Sequence, residues 1–402
     1  MFAARPPSTF DEFKQTRRFD ALDGLRTVSI LLVLVYHSGD AMWLPLQGYL
    51  GVLMFFVISG FIITTLLLRE QDADGRVSIK AFYIRRVFRI LPLYYLVFVT
   101  YLLLMQVSHD ESLRGPFLQN IWYYLTYNNE FAGPSAFTHT WSLAVEEKFY
   151  LVWPLLAFGL VTWRRRRIAL AGGLFVGFIL LGLVPESSPV GWLTYFSRYS
   201  PIMGGCLVAL VMHQRRGFDQ VRRVATSPLG PVLVVAAAAL WGLQDHNPFG
   251  LLSAVNGLAL VAAFPVLVLT RPAVALLATR PMVHLGTRSY AFYLLYPLTI
   301  RVGNIVLPPN GSVGLALVRF VLMTVIGAVA AEALHWLYEK PLIGIGRRLA
   351  KQVQQRDLAR ARARADRPAT AAVELSGADG LPGADGLPGA DGLPGDVVNS
   401  QA

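Results

Sequence analysis

Five groups of polar residues lie inside or beside long apolar runs of this chain, and each could do chemistry. Ionisable groups in hydrocarbon are costly, so they are functional candidates by default. The first group is Arg26 and His37, in LRTVSILLVLVYHSGD. They are eleven residues apart, which on a helix is three turns plus about 20° and a rise of about 16 Å. Both side chains then share one face, with His37 the deeper. An imidazole titrates near neutrality and can accept a proton from a hydroxyl. A histidine merely hydrogen-bonded between helices is the structural alternative.

The second group is the basic cluster of FYIRRVFRILPLYY. Arg86 and Arg89 are three apart, and Arg85 and Arg89 four apart. Such pairs project from one side of a helix, and arginine forks bind phosphates. Pro92 then suits the first turn of the helix that follows. The third is HTWSLAVEEKFYLVWP, from His139 to Pro154. Ser142, Glu146, Phe149 and Tyr150 fall on one helix face, and a carboxylate there could orient and charge-stabilise a histidine. Glu146 and Glu147 are adjacent, about 100° apart on a helix. One site is therefore expected to take Glu146 and not Glu147, with a Lys148 pair as the alternative for one of them. His139, Trp141, Ser142 and Tyr150 are the candidate substrate contacts. The fourth group is GVLMFFVISGF, where Ser59 and Gly60 interrupt a bulky run. Close helix packing is the usual reason, and a passage for a ligand is the alternative. The fifth is Glu332, His335, Glu339 and Pro341. The first two are spaced to pair.

These residues need helices to position them. Hydrophobic residues make up 54% of the 402 and charged residues only 15%, against about 25% charged in soluble domains. That excludes a disordered chain, a coiled coil and an ordinary soluble enzyme. The fold class expected is all-α, a polytopic membrane protein. A span needs about 20 mostly apolar residues. Ten candidates are read, at roughly 25–44, 49–69, 90–107, 142–163, 168–184, 195–213, 229–243, 250–270, 285–307 and 313–338. Lys and Arg concentrate before span 1 and after spans 2, 4, 6, 8 and 10. The positive-inside rule makes that side cytoplasmic, with both termini on it. The net charge of +11 therefore reads as topology and lipid attraction rather than nucleic-acid binding. No apolar run follows Met1, so no cleaved signal peptide is expected. The single cysteine, Cys206, excludes internal disulfides and cysteine-based metal sites, and no metal site is expected.

Three regions follow: a cytoplasmic segment over 1–20, a transmembrane domain over 21–345, and a cytoplasmic tail over 346–402. Residues 347–367 read as a basic surface helix, and the Gly-x-y repeat from Gly377 as disordered. The outer loop 108–141 carries Trp122, Tyr123, Tyr124 and Tyr127. An interfacial aromatic belt is the first reading, and a stacking surface for a sugar or a ring-shaped acceptor the sharper one.

With these motifs in order, the chain resembles the acyltransferase 3 family of integral membrane acyltransferases over most of 18–345. RRFDALDGLRTVSILLVLVYHSG carries an arginine, ten residues, then a histidine, on Arg26 and His37. FFVISGF, the Arg-x-x-Arg of Arg86 and Arg89, WSLAVEEKFY with Glu146, SYAFYLLYPL and YEKPL are similar too. Many relatives have histidine where this chain has Tyr296. Many also carry a C-terminal extracytoplasmic hydrolase-like domain, which this chain is expected to lack. The resemblance implies transfer of an acyl group from cytoplasmic acyl-CoA, acetyl-CoA first, to a hydroxyl of a carbohydrate. No permanently bound cofactor is implied. It makes His37 the base, with Glu146 and Arg26 beside it. Arg86, Arg89 and Arg85 would hold the donor phosphates, in a bacterial plasma membrane. Acylation of a secondary metabolite such as a macrolide is the alternative within the class. A transporter or flippase is the rival outside it, although no inverted repeat is evident.

Overall fold

The computed structural model describes residues 5–16, 18–108, 110–161, 163–185, 187–243, 251–309 and 311–365. The Gly-x-y repeat lies outside them. Among the described residues there is helix and turn and no strand. The helices are α1 (Phe10–Gln15), α2 (Asp20–His37), α3 (Tyr49–Asp74), α4 (Ile79–Val107), α5 (Glu111–Gln119), α6 (Ile121–Leu125), α7 (Trp141–Pro154), α8 (Arg164–Leu181) and α9 (Ser200–Met212). They continue with α10 (Arg215–Thr226), α11 (Leu229–Gly242), α12 (Leu251–Leu269), α13 (Arg271–Leu277), α14 (Arg280–Thr287), α15 (Ser289–Val306), α16 (Val313–Leu334) and α17 (Lys340–Ala365). The contacts divide the chain into Met1–Gln354 and Gln355–Ala402. The basic segment from 347 is helical as far as Ala365, as its composition suggests.

Local chemistry sets the ends. Ser78 starts α4 by accepting from the amide of Ala81 at 3.4 Å, and Asp110 starts α5 by accepting from that of Ser112 at 3.0 Å. Gly75, at φ 73°, stops α3 in the left-handed region that a side chain would resist. Pro92 is not in a first turn, because α4 begins at Ile79 and runs through it. The arginine cluster and the apolar stretch are thus one helix. Past Pro154 and ahead of Pro341 the helices loosen into π turns, Leu155–Leu160 and His335–Glu339.

Each expected span overlaps a helix but not its bounds: α2 ends at His37, α7 at Pro154, and α9 begins only at Ser200. Ala41–Asp74, Ile79–Val107 and Val313–Ala359 are long and apolar enough to cross a bilayer. The pairs Arg215–Thr226 with Leu229–Gly242 and Ala254–Leu269 with Arg271–Leu277 pass that test together, bent by 73° and 86°. Helices such as α7, α9 and α11 have only 13 or 14 residues, short of the ~20 a straight crossing takes.

The interior is built on α3, which packs against α2, α9 and α7. Lipid tails are as apolar as leucine, so helices in a bilayer associate by close packing and interhelical hydrogen bonds. The α3–α9 pair shows the first. A Cβ on Gly60 would sit 1.9 Å from the Ile202 carbonyl oxygen, and one on Gly205 2.2 Å from that of Val57. The second appears where Trp153 of α7 donates its Nε1–H to Thr64 Oγ1 of α3 at 2.9 Å. The loop between α4 and α7 is held by Asn129, fully buried. Its amide donates to Tyr94 Oη at 2.8 Å and Thr140 Oγ1 at 2.6 Å. Its aromatics divide by role: Trp122 and Tyr123 are exposed, and Tyr124 is fully buried in the core.

Candidate functional site

Three adjoining chambers thread the bundle. The first, about 470 Å3, lies at the end where the arginine-rich loops gather and is lined by Arg18, Arg26, Arg69, Arg89, Arg288 and Arg347 with Asp23, His335 and Glu339. The second is narrow, about 90 Å3, lined by Arg26, Ser59, Arg86, Arg89, Glu146 and Glu147 among others. The third, about 520 Å3, is bordered by the loop between α4 and α7 and lined by Tyr36, His37, Tyr49, His139, Trp141 and Tyr296. Arg26 and Arg89 line both the first and second chambers. Val52 and Tyr293 line both the second and third. Helix α2 therefore runs along the whole passage, with Arg26 at its inner throat and His37 at its far end, as the eleven-residue spacing requires.

His37 lies 2.8 Å from the Val33 carbonyl through Nδ1. A carbonyl only accepts, so Nδ1 carries the proton and the neutral ring keeps its lone pair on Nε2. The Tyr296 ring is 5.3 Å from that of His37 and 5.3 Å from that of His139. His139 Nε2 is 3.3 Å from the Leu294 carbonyl. Trp141 stacks on Tyr49 at 6.1 Å, with the Arg198 guanidinium 5.0 Å from its ring. Tyr293 donates to the His139 carbonyl at 2.6 Å, so the 2.7 Å contact with Ser142 is donated by the serine. Just past His37, Arg319 of α16 is fully buried. It donates to Asp40 at 2.8 Å, to the Ser38 carbonyl at 2.8 Å and to Asn304 at 2.5 Å.

Glu146 is held differently from the expectation. It accepts from Ser59 at 2.8 Å and from Tyr150 at 3.1 Å, and no hydrogen bond links it to His37 among the described residues. The two face different chambers, and the ring that Glu146 was expected to orient is oriented by a backbone carbonyl. Glu146 and Glu147 do both line the second chamber. The two adjacent glutamates therefore share one chamber, where only Glu146 was expected to face the site. Lys148 pairs with Glu130, not with either glutamate. Ser59 and Gly60 meet both of their readings: Gly60 packs against α9 while Ser59 lines the passage.

The arginines also separate. Arg85 is paired with Glu70 at 2.7 Å and lines none of the three chambers. Arg86 opens only on the second, its guanidinium 5.2 Å from the Tyr150 ring. Arg26 reaches Asp23 at 3.1 Å. Glu332 and His335 do not pair; Glu332 accepts from Arg288 at 2.8 Å, and His335 contacts Glu339 at 2.7 Å. Sequence reasoning missed Arg319, Asp40 and Tyr293, left Arg69 unassigned at the edge of a span, and read Arg288 and Arg347 only as topology charge. A charged residue within an apolar run was the available signal for Arg319.

The chain is 27% identical over 355 residues to the putative peptidoglycan O-acetyltransferase YrhL of Bacillus subtilis, covering 81% of this chain and 55% of that protein. It is 28% identical over 319 residues to the peptidoglycan O-acetyltransferase OatA of Listeria monocytogenes, covering 71% and 51%. A putative O-acetyltransferase of Staphylococcus aureus, SACOL0978, is 37% identical over 185 residues, covering 43% and 29%. The chain thus spans about half the length of the first two relatives. No solved structure matches it. The family model described as an acyltransferase domain matches residues 19–336, so the chain belongs to the acyltransferase 3 family.

Proposed function

We propose that the protein moves an acyl group, acetyl in the first instance, from cytoplasmic acyl-CoA to a hydroxyl of a cell-envelope glycan. The observation that carries this is the passage along α2, arginine-lined at one end and histidine-lined at the other. The basic end is read as cytoplasmic by the positive-inside rule, in a ten-span bacterial plasma-membrane protein with both termini inside. The nucleotide of the donor would rest in the first chamber. There Arg69, Arg89 and Arg347 have no carboxylate within ion-pair distance among the described residues. Guanidinium forks suit phosphates. The acyl thioester would reach the boundary of the second and third chambers at Val52 and Tyr293. The acceptor would enter the third chamber from the opposite side, against Trp141, Tyr49 and His139. Peptidoglycan is the first acceptor to try, because two of the relatives are named for it.

In this reading His37 Nε2 takes the proton of the acceptor hydroxyl as its oxygen attacks the thioester carbonyl. The tetrahedral intermediate collapses, the C–S bond breaks, and the imidazolium returns the proton to the departing thiolate. The Nδ1–H bond to Val33 fixes the tautomer in place of a carboxylate. Glu146, held by Ser59 and Tyr150, contributes negative charge to a chamber that three arginines line.

The test is release of free CoA from acetyl-CoA by the purified protein in lipid nanodiscs, with and without a muropeptide acceptor. Acceptor-dependent release is expected. Release no faster than in empty nanodiscs, across several glycan acceptors, overturns the reading.

A further inference from the structure

The second chamber holds polar groups that the transfer step does not use. Glu147 Oε1 and Tyr127 Oη are both buried and make no well-formed hydrogen bond among the described residues, the Tyr127 hydroxyl facing that of Tyr290. Both residues line the chamber. Arg86, on the same wall, lies over the rings of Phe82 and Tyr150 and makes no ion pair among the described residues. A buried donor or acceptor without a partner loses the full value of its hydrogen bond to water, so these orphans point to a bound group.

Tyr127 is also held under strain. Its backbone is at φ 59°, a left-handed conformation unusual for a bulky residue. Lys148, which pairs with Glu130, reaches the Tyr127 carbonyl at 3.3 Å and helps hold that backbone in place. Strain maintained by surrounding contacts is common at binding sites.

The unused groups select a ligand class. A phosphate is disfavoured, because two carboxylates, Glu146 and Glu147, line the chamber with it. A cation is disfavoured by Arg26, Arg86 and Arg89. What remains is a neutral chain that offers an N–H to Glu147 and a carbonyl to Tyr127 and Arg86. A secondary amide offers one of each. The arm joining the nucleotide of CoA to its thiol contains two secondary amides on a slender chain. The narrow chamber lies where that arm must lie, between the arginines of the first chamber and His37 in the third.

We infer that Glu147, Tyr127 and Arg86 form an amide-recognition subsite for the pantetheine arm of the donor. Glu147 accepts the amide N–H, and Tyr127 and Arg86 donate to the amide carbonyl. The inference rests on the acyl-CoA reading above. It also moves Arg86 from the phosphates to the arm and leaves the phosphates to the first chamber.

The experiment compares acetyl-CoA with an analogue in which the N–H of the amide nearest the thioester is replaced by CH2, leaving a ketone. The full chain is used in nanodiscs, and kcat/KM is measured for each donor. The wild type is expected to prefer acetyl-CoA by about tenfold or more, the value of one buried hydrogen bond. Glu147→Ala should lower acetyl-CoA turnover through KM and erase that preference. Tyr127→Phe should weaken both donors alike and keep the preference, because both retain the carbonyl. An undiminished preference in Glu147→Ala, or wild-type kinetics for both donors in Tyr127→Phe, overturns the subsite. If Glu147→Ala does not elute as a folded species, Tyr127→Phe carries the test alone. Failure of the wild type to use acetyl-CoA at all would sink the donor reading and this inference with it. Turnover of both donors with unaltered discrimination in Glu147→Ala sinks the subsite only.

Discussion

Arg319 and Asp40 form a buried pair whose removal has a calculable shape. The guanidinium is fully buried and makes bonds of 2.8, 2.8 and 2.5 Å to Asp40, the Ser38 carbonyl and Asn304. Replacing it with methionine leaves the Asp40 carboxylate facing only the Ser38 hydroxyl at 3.3 Å. That hydroxyl already gives its proton to Val35 at 2.7 Å. An uncompensated buried charge costs about 3–5 kcal/mol. Asp40→Leu leaves the guanidinium with only neutral partners, the Ser38 carbonyl and Asn304, and should cost a similar amount. The double variant removes both charges and should recover most of the loss, because well-packed apolar replacements of buried pairs are close to neutral. Unfolding free energies from denaturant titration in mixed micelles would measure all three. Turnover should stay low in the double variant even where stability returns, because the carbonyl just past His37 has lost its anchor. A double variant as unstable as the two singles summed would refute the coupling, and the charges would then act independently.

Further outcomes are expected at the passage. His37→Ala should reduce transfer at least a hundredfold, of the order seen for general bases, with membrane insertion intact; activity above about a tenth of wild type would remove His37 from the role of base. Glu146→Gln keeps shape but removes the charge that Ser59 and Tyr150 support, and should weaken turnover by about 2 kcal/mol with little change in donor KM. Arg69→Ala and Arg89→Ala should each raise the KM for acetyl-CoA about tenfold by losing a charge-assisted bond; an unchanged KM in both would return them to topology charge. Gly60→Ala places a carbon 1.9 Å from the Ile202 oxygen, so thermal unfolding should show a loss of about 1–3 kcal/mol or more.

The residues that showed themselves in the sequence were those whose presence in an apolar run is itself expensive. Arg26 and His37 declared a shared face by spacing alone, and α2 places them at two ends of one passage. Glu146 was found by its motif, yet its partner was misjudged, because Ser59 is 87 positions away and no local rule connects them. The Arg319–Asp40 pair spans 279 positions and was equally hidden. Counting basic residues along the chain did not reveal that six arginines, four of them on helices, face one chamber. Charge counting carries no direction. Apolar helices were legible by hydropathy, whereas the short lengths of α7, α9 and α11 depend on prolines, turns and packing that hydropathy does not weigh.

The contact at Gly60 and Gly205 has a consequence for how the passage opens. Helix α3 supplies Val52, Phe56 and Ser59 to the second chamber, while its other side meets α9 backbone to backbone. Such a contact has no rotamers to exchange, so α3 serves as an anvil. Widening a chamber of about 90 Å3 to admit a thioester must come from the opposite wall. That wall is α4, α7 and α15, whose facing groups are the long, rotatable side chains of Arg86, Arg89, Glu147, Tyr290 and Tyr293. Turnover should therefore be paced by side-chain rearrangement on that wall rather than by sliding of the bundle, and a crosslink between α3 and α9 should leave it unchanged.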